Sequence, residues 1–453
     1  MTQTSHSEPL HGGLCGVASR LPGEVLAPGV DGYAEAAATV FAQGTPDLVI
    51  RPPDAAGVAA AVRYATAAGL AVTVRSGGHS MAGLSTNTDG MVIDLRNLCA
   101  VEVLDRTSRR VRIGAGATWG AVTAALAPYG LGLTAGDTRE VGVGGLTLGG
   151  GIGWLVRRHG LAIDNLVAAD LVTADGELIR ADPEQHGDLF WALRGGGGNF
   201  GVVTSFEFTA QPVTTVHFGA IGYRLTDLPR LVADWRELAQ AGDENLTTAL
   251  NLLPPMSGRP AAAMVQCCYA GPDRDAADAA LRPFRALAPV TSDAVRAMPY
   301  GDVLVTSPAL PPGARMEVRN ALVPALDDAT VGAIADVHAD GSMVELRGLG
   351  GAFARVAPDA TAFAHRDAEA LVVAGVMLPP GAAPELATAP FARWPSVVAR
   401  SRGTYVNFLG TATDADVESV YPPATYRRLA DVKRRYDPGN VFRRTHNVRP
   451  ARG

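Results

Sequence analysis

Lysine is all but missing from this chain: Lys433 is the single one among 453 residues, and arginine carries nearly all the positive charge. With the abundance of alanine, glycine and valine, this reads as codon bias and not as function. Charge as a whole is modest, at 19% of residues with a formal net charge of −6. The densest basic groupings are short (Arg109-Arg110, Arg157-Arg158, Lys433-Arg434-Arg435), so no surface is built to track a polyanion and nucleic acid is not an expected partner. Cysteine is scarce too. Cys15, Cys99, Cys267 and Cys268 form no CxxC pair, which fits a reducing compartment better than a disulfide framework. The segment Met1 to Cys15 lacks a basic-then-apolar leader pattern, so a cytoplasmic location is expected. No stretch reaches the ~18 apolar residues of a membrane span. The nine histidines are scattered, without HExxH or a His/Cys cluster, so no metal site is expected.

What is present is a globular composition, 47% apolar, in a chain long enough for two or three structural units with a cofactor cleft between them. Leu48–Arg51 reads as a strand, Asp54–Ala68 as a helix and Ala71–Arg75 as a second strand, a βαβ-like opening. Strands at Met91–Asp94 and Arg110–Ile113, a helix near Trp119–Ala127 and a closing strand Gly201–Phe208 complete a first unit. Beyond Pro212, strand-like segments (His217–Tyr223, Ala262–Tyr269, Met343–Leu346, Ala370–Met377) alternate with Ala-rich helices (Ala276–Leu287, Ala325–His338). Val290–Pro312 and Leu378–Pro390 read as loops. The expected division is residues 1–210 (core about 45–210), 211–400 for a sheet backed by helices, and 401–453 returning to the first unit.

Glycine is where the chain is most informative. The loop Val74 to Gly83 (VRSGGHSMAG) follows a buried strand, and Gly77, Gly78 and Gly83 let backbone N–H groups converge on an anion without a Cβ in the way. On spacing alone, a plain turn with an incidental histidine accounts for it equally well. Gly142–Gly153 holds seven glycines in twelve positions, a density that a purely structural loop rarely needs. Gly196–Gly201 spells GxGxxG, but it follows a helical segment and feeds a strand. A nicotinamide fingerprint has the opposite context, so the match is read as a coincidence of composition.

The order of these loops, with histidine in the first, resembles the FAD-binding domains of the vanillyl-alcohol-oxidase superfamily, of the PCMH type. The wording of RSGGH, NLVAADLVTADG from Asn165, DLFWALRGGGGNFGVVT from Asp188, TAFAHRD from Thr361, YVNF from Tyr405 and RLADVKRRYDPGNVFR from Arg428 is similar to the branch of berberine bridge enzyme and 6-hydroxy-D-nicotine oxidase. The blocks extend over nearly the whole chain from Leu48. The fold implied is α+β: a two-part PCMH-type FAD-binding domain plus a substrate domain with an antiparallel sheet backed by helices.

The resemblance implies that His79 carries the flavin covalently through its 8α-methyl group, a link that makes the flavin a stronger oxidant. A second link in many members comes from a cysteine; the matching stretch here is Gly136 to Gly142 (GDTREVG), with Thr138 in the cysteine's place, so one link is expected. Backbone groups of Arg75, Ser76, Gly77, Gly78, His79, Ser80 and Gly83 are implied for the pyrophosphate. Asp137, Gly142, Gly144, Gly145, Leu148, Gly149, Gly151, Gly153 and Asn165 are implied along the rest of the cofactor, and Val203 at the adenine. Tyr405 and Asn407 approach the ring, and Val141, small beside flavin C4a, favours oxygen as electron acceptor. Plant relatives take their base from a glutamate or a tyrosine whose positions here are Gly403 and Phe408. The base is therefore sought on the strand where Glu345 and Arg347 share a face, although an ordinary Glu345–Arg347 pair explains that spacing as well. Tyr269, Tyr300 and Asn251 remain candidate substrate contacts. The activity implied is oxidation of an alcohol or amine of a small apolar or polycyclic molecule by oxygen, with hydrogen peroxide released, by a monomer or homodimer. A carbohydrate oxidase, a redox-neutral flavin-dependent cyclase and a non-catalytic flavoprotein stay open beside it.

Overall fold

The computed structural model describes residues 20–452 except 256, 257, 259, 308–310 and 312. Cys15, the leader region and the end of the expected Val290–Pro312 loop lie outside the described residues.

A four-stranded sheet comes first, in the order Glu24–Leu26, Leu48–Arg51, Met91–Asp94, Val72–Arg75, with the last three mutually parallel. The βαβ opening is there, but its two strands do not pair: Met91–Asp94 is inserted between them. The intervening helix Ala55–Ala67 starts at Asp54, whose side chain accepts from Gly57 N at 2.8 Å and satisfies one of the free amides of the first turn. Behind it stands an antiparallel five-stranded sheet ordered Val101–Asp105, Arg110–Gly114, Val202–Thr209, Leu166–Val172, Leu178–Ala181. The two sheets share one core with the helix between them (Leu48, Ile50, Val58, Val62, Phe206, Phe208).

An antiparallel sheet of eight strands follows, running Val290–Asp293, Thr215–Arg224, Ala262–Tyr269, Leu246–Leu253, Met343–Gly348, Ala370–Leu378, Arg315–Val323, with Arg296–Pro299 also on Thr215–Arg224. Two of its strands lie in the segment expected to be a loop, Val290–Asp293 and Arg296–Pro299. They are short, exposed edge pieces whose pairing partner lies about seventy residues upstream, so local pattern gives no sign of them. The period of two along each strand divides the side chains between two cores. Leu250, Leu252, Cys267, Leu346 and Val372 pack under the helices Leu228–Ala241, Arg274–Arg285 and Asp328–Ala339. Ala249, Cys268, Leu371 and Val373 face the other way, as do Glu345 and Arg347 by register.

Residues from Gly403 onward return to the first core. Leu322 pairs with Gly403 at the sheet edge, and the helices Asp414–Val420 and Pro423–Tyr436 then bury Val417, Val420, Leu429 and Val432. Lys433, the sole lysine, is fully buried there: its ammonium donates to Asp437 Oδ2 (2.7 Å), Asn199 O (2.6 Å) and Phe442 O (3.0 Å). A buried charge persists only when paired and hydrogen-bonded in this way. No helix among the described residues is long and apolar enough to cross a membrane.

Candidate active site

Three glycine-rich segments and the returning C-terminal segment enclose a cavity of about 340 Å³. The first segment leaves the buried strand Val72–Arg75 and the second opens the short helix Val143–Leu148, and they touch backbone to backbone. A Cβ on Gly77 would collide with the Gly142 amide and stand 2.8 Å from Gly142 Cα, and one on Gly142 would meet Gly77 in the same way. Ser76 clamps the pair, donating to Ala115 O at 2.6 Å and accepting from Gly144 N at 3.3 Å. By contrast Gly145 and Gly198 face open space where a Cβ would be, and both line the cavity. Glycine therefore does two jobs here: it lets the loops meet, and it leaves the room into which a flat or phosphorylated cofactor fits.

Ser76–Ser80, Gly136, Asp137, Thr138, Val141, Gly142, Gly144, Gly145, Leu148, Gly149, Val203, Arg347, Tyr405 and Asn407 line the cavity as the sequence led us to expect. Other expected residues do not. The Arg75 guanidinium is spent on Asp94 at 2.8 Å, Gly83 turns away against Ala42, and Gly151 and Gly153 are packed on Ala162 and Ala135. Asn165 bridges His159 O and Leu161 O at 2.9 and 3.0 Å. Tyr300 donates to Leu133 O at 2.8 Å inside the core, Tyr269 is buried, and Asn251 bonds Gln266, and none of the three lines this cavity. Glu345 is absent from the lining as well: Arg347 takes its carboxylate at 2.7 Å.

His79 is half-buried, and that burial holds its pKa below 6.5 against the opposing pull of Glu140, so the imidazole is neutral near pH 7. Across the cavity Arg347, 4% exposed, bridges Glu345 (2.7 Å) and Asp137 (2.9 Å), the latter 210 residues away, with Trp154 beneath its guanidinium at 5.5 Å. Burial works to strip its proton, but the two carboxylates outweigh burial and raise its pKa; in return Arg347 overcomes the burial of Asp137 and lowers that pKa. Tyr405 lies at the floor, its phenolic oxygen accepting from Gly151 N and Ile152 N (3.1 Å each) and Asn407 Nδ2 (2.8 Å). Burial pushes its pKa up, so it stays a neutral phenol that orients its surroundings. Gly403 has no room for a longer side chain: a Cβ there would collide with Ser419 O and stand 2.6 Å from His365 Nε2.

The third glycine segment, whose GxGxxG spelling is not a nicotinamide fingerprint, also reaches the cavity. Gly197, Gly198 and Gly201 line the cavity, as do Phe442, Arg444, Thr445 and His446 of the C-terminal segment. The glycine density of 195–201 was the available signal; helix-before-strand context excludes a nicotinamide site but not a site as such.

Comparison with known proteins agrees with this geometry. A model described as FAD binding domain matches residues 46–182, and one described as berberine and berberine like matches 404–449. An uncharacterised FAD-linked oxidoreductase of Bacillus subtilis (strain 168) is 33% identical over 90% of this chain and 92% of its own. The (R)-6-hydroxynicotine oxidase of Paenarthrobacter nicotinovorans is 31% identical over 95% of this chain and 97% of its own. The solved 6-hydroxy-D-nicotine oxidase of Arthrobacter nicotinovorans superposes with a TM-score of 0.85 at 30% identity, covering 95% of this chain and 98% of that one. A xylooligosaccharide oxidase of Myceliophthora thermophila, solved with xylobiose, gives a TM-score of 0.84 at 25% identity over 96% of this chain and 98% of that one. This chain belongs to the berberine-bridge-enzyme-like family of FAD-linked oxidoreductases.

Proposed function

We propose that the chain is an oxidase holding FAD by one covalent bond, through His79, and oxidising an alcohol or amine carbon of a small apolar or polycyclic substrate. The observation that carries this reading is that His79, Thr138 and Val141 line one cavity with the glycine loops. Bound FAD supplies two-electron acceptor chemistry, with oxygen as the final acceptor and hydrogen peroxide as product. The chain's own residues do the rest. Neutral His79 has a ring nitrogen lone pair free to form the bond, and Thr138, a poor nucleophile beside a thiolate, leaves it the only link. Val141 keeps the space beside it open to a molecule as small as oxygen. Phe408, edge-on to Tyr405 at 5.4 Å, gives the substrate an apolar wall and no proton acceptor. Arg347 stays charged at every working pH and fixes Asp137 at the substrate end.

Acid denaturation tests the link. Yellow colour should stay on the wild-type polypeptide and leave His79→Ala. Flavin washing off the denatured wild type, or remaining bonded in His79→Ala, refutes the attachment; a search of alcohols and amines for peroxide formation addresses the oxidase reading separately.

A further inference from the structure

The cavity is lined by four side chains that can carry positive charge: His79, Arg347, Arg444 and His446. Three are accounted for. Arg347 is neutralised by Glu345 and Asp137. Burial holds His79 and His446 below their ordinary pKa, and His446 is tied to Thr411 O at 2.9 Å. Arg444 differs from all of them: among the described residues no carboxylate lies within 4 Å of it, and it donates no hydrogen bond.

Its backbone is nonetheless held on both sides. Phe442, two residues before it, has its carbonyl on Lys433 Nζ (3.0 Å) and its amide on Asp437 Oδ2 (2.9 Å). His446, two residues after it, has its carbonyl on Asn199 Nδ2 (3.1 Å), and Val448 N donates to Asn199 Oδ1 (2.9 Å). Asn199 belongs to the third glycine segment, so Arg444 issues from a strut fastened to the turn whose Gly197 and Gly198 line the cavity. Lys433 is a positioning residue of that strut. An exposed, unpaired guanidinium on a held stretch of backbone, at a cavity that must take an anionic diphosphate, has a ligand by charge, since guanidinium–phosphate pairs are directional and strong. The first glycine loop offers the phosphates no free cation, its arginine being spent on Asp94 and His79 being neutral near pH 7.

We propose that Arg444 is the counter-charge to the FAD diphosphate, a cofactor-affinity residue supplied by the C-terminal segment. The inference rests on the FAD reading but not on the covalent link. The test uses the full chain carrying His79→Ala, freed of flavin, with and without Arg444→Gln, titrated with FAD and with riboflavin by quenching of flavin fluorescence. Arg444→Gln should raise half-saturating FAD about tenfold at low ionic strength, as expected for one charge-assisted bond, and less at high salt. Riboflavin, which has no phosphate, should bind both proteins equally, and Arg444→Lys should recover part of the loss. Unchanged FAD affinity, or an equal loss for FAD and riboflavin, overturns the assignment. Failure of the His79→Ala parent to bind FAD at all counts against the FAD reading instead.

Discussion

The wall of the cavity proposed to hold the cofactor and the wall proposed to meet the substrate are built from different materials. On the first, Ser76–Ser80 and Gly142–Gly149 present mainly backbone, with Ser76 as clamp and His79, neutral near pH 7, as the ionisable side chain of the two loops. On the second, Arg347 is pinned between Asp137 and Glu345, a charged chain joining a glycine loop to a strand 210 residues away. Backbone surfaces do not depend on which side chains are present and fit a constant ligand such as a cofactor. Side-chain surfaces change with one substitution and suit whatever differs between relatives. The two walls should therefore fail differently.

The largest effect is expected at the loop contact. Gly142→Ala puts a methyl group against Ser76 Oγ and the Gly77 backbone, where nothing flexible can yield. Because the loops cannot then close on each other, flavin content per polypeptide, read from the visible absorbance of purified protein, should fall close to zero. Gly145→Ala, at a position with open space, should retain most of its flavin. Equal content in the two variants would mean that the backbone contact does not form the cofactor wall.

That contrast also explains what could be read in advance. A glycine required by backbone contact leaves a local mark, and RSGGH and Gly142–Gly153 carried it, as did the alternation that put Glu345 and Arg347 on one face. The ion pair Arg347–Asp137 left none, because nothing around either residue states which strand register brings them together. Glu345 was sought as the base on the strength of that alternation, which gives the face but not which of two neighbours reaches the cavity. Val290–Asp293 and Arg296–Pro299 were missed as strands because their pairing is wholly non-local. Arg444 and His446 had no motif of their own to point to them.

Acid should separate the two halves next. Burial holds His79, His159, His365 and His446 below 6.5, and all lie outside the helix-backed core of the large sheet; of the buried histidines with lowered pKa, His338 alone belongs to a helix of that layer. Each folded-state pKa is depressed, so between pH 6.5 and the folded values the unfolded chain binds more protons and stability falls as pH falls. Above about 6.5 these groups contribute no pH dependence. His159, lowered to about 4 first by burial and then by Arg158 and Arg109, contributes the largest share of that loss. Unfolding midpoints measured from pH 7 to 4.5 should drop, with flavin fluorescence rising before helical signal is lost. A flat profile would remove these histidines as the acid-labile element.

On the substrate wall, Arg347→Met should leave flavin content intact while lowering kcat/KM about 10²-fold, since it strips the partner from two carboxylates and frees the loop at Asp137. Loss of flavin in parallel would merge the two walls into one.

The smallest effect is expected at Glu345. A positioned general base contributes about 10²–10⁴-fold in rate, so Glu345→Gln discriminates between a base and a support. The carboxylate is bonded by the Arg347 Nε and Nη2 atoms, does not line the cavity, and has a side chain 24% exposed. The oxygen bonded by Arg347 is already engaged in holding the guanidinium, which is a support role. Glutamine keeps the oxygen that Arg347 needs and loses only the charge. The rate of flavin reduction by a turnover substrate, followed anaerobically in a stopped-flow mixing experiment, should then fall less than about tenfold, with KM shifting more than kcat. A fall beyond 10²-fold with an unchanged KM would restore Glu345 as the base and mean that its pairing with Arg347 opens when substrate enters.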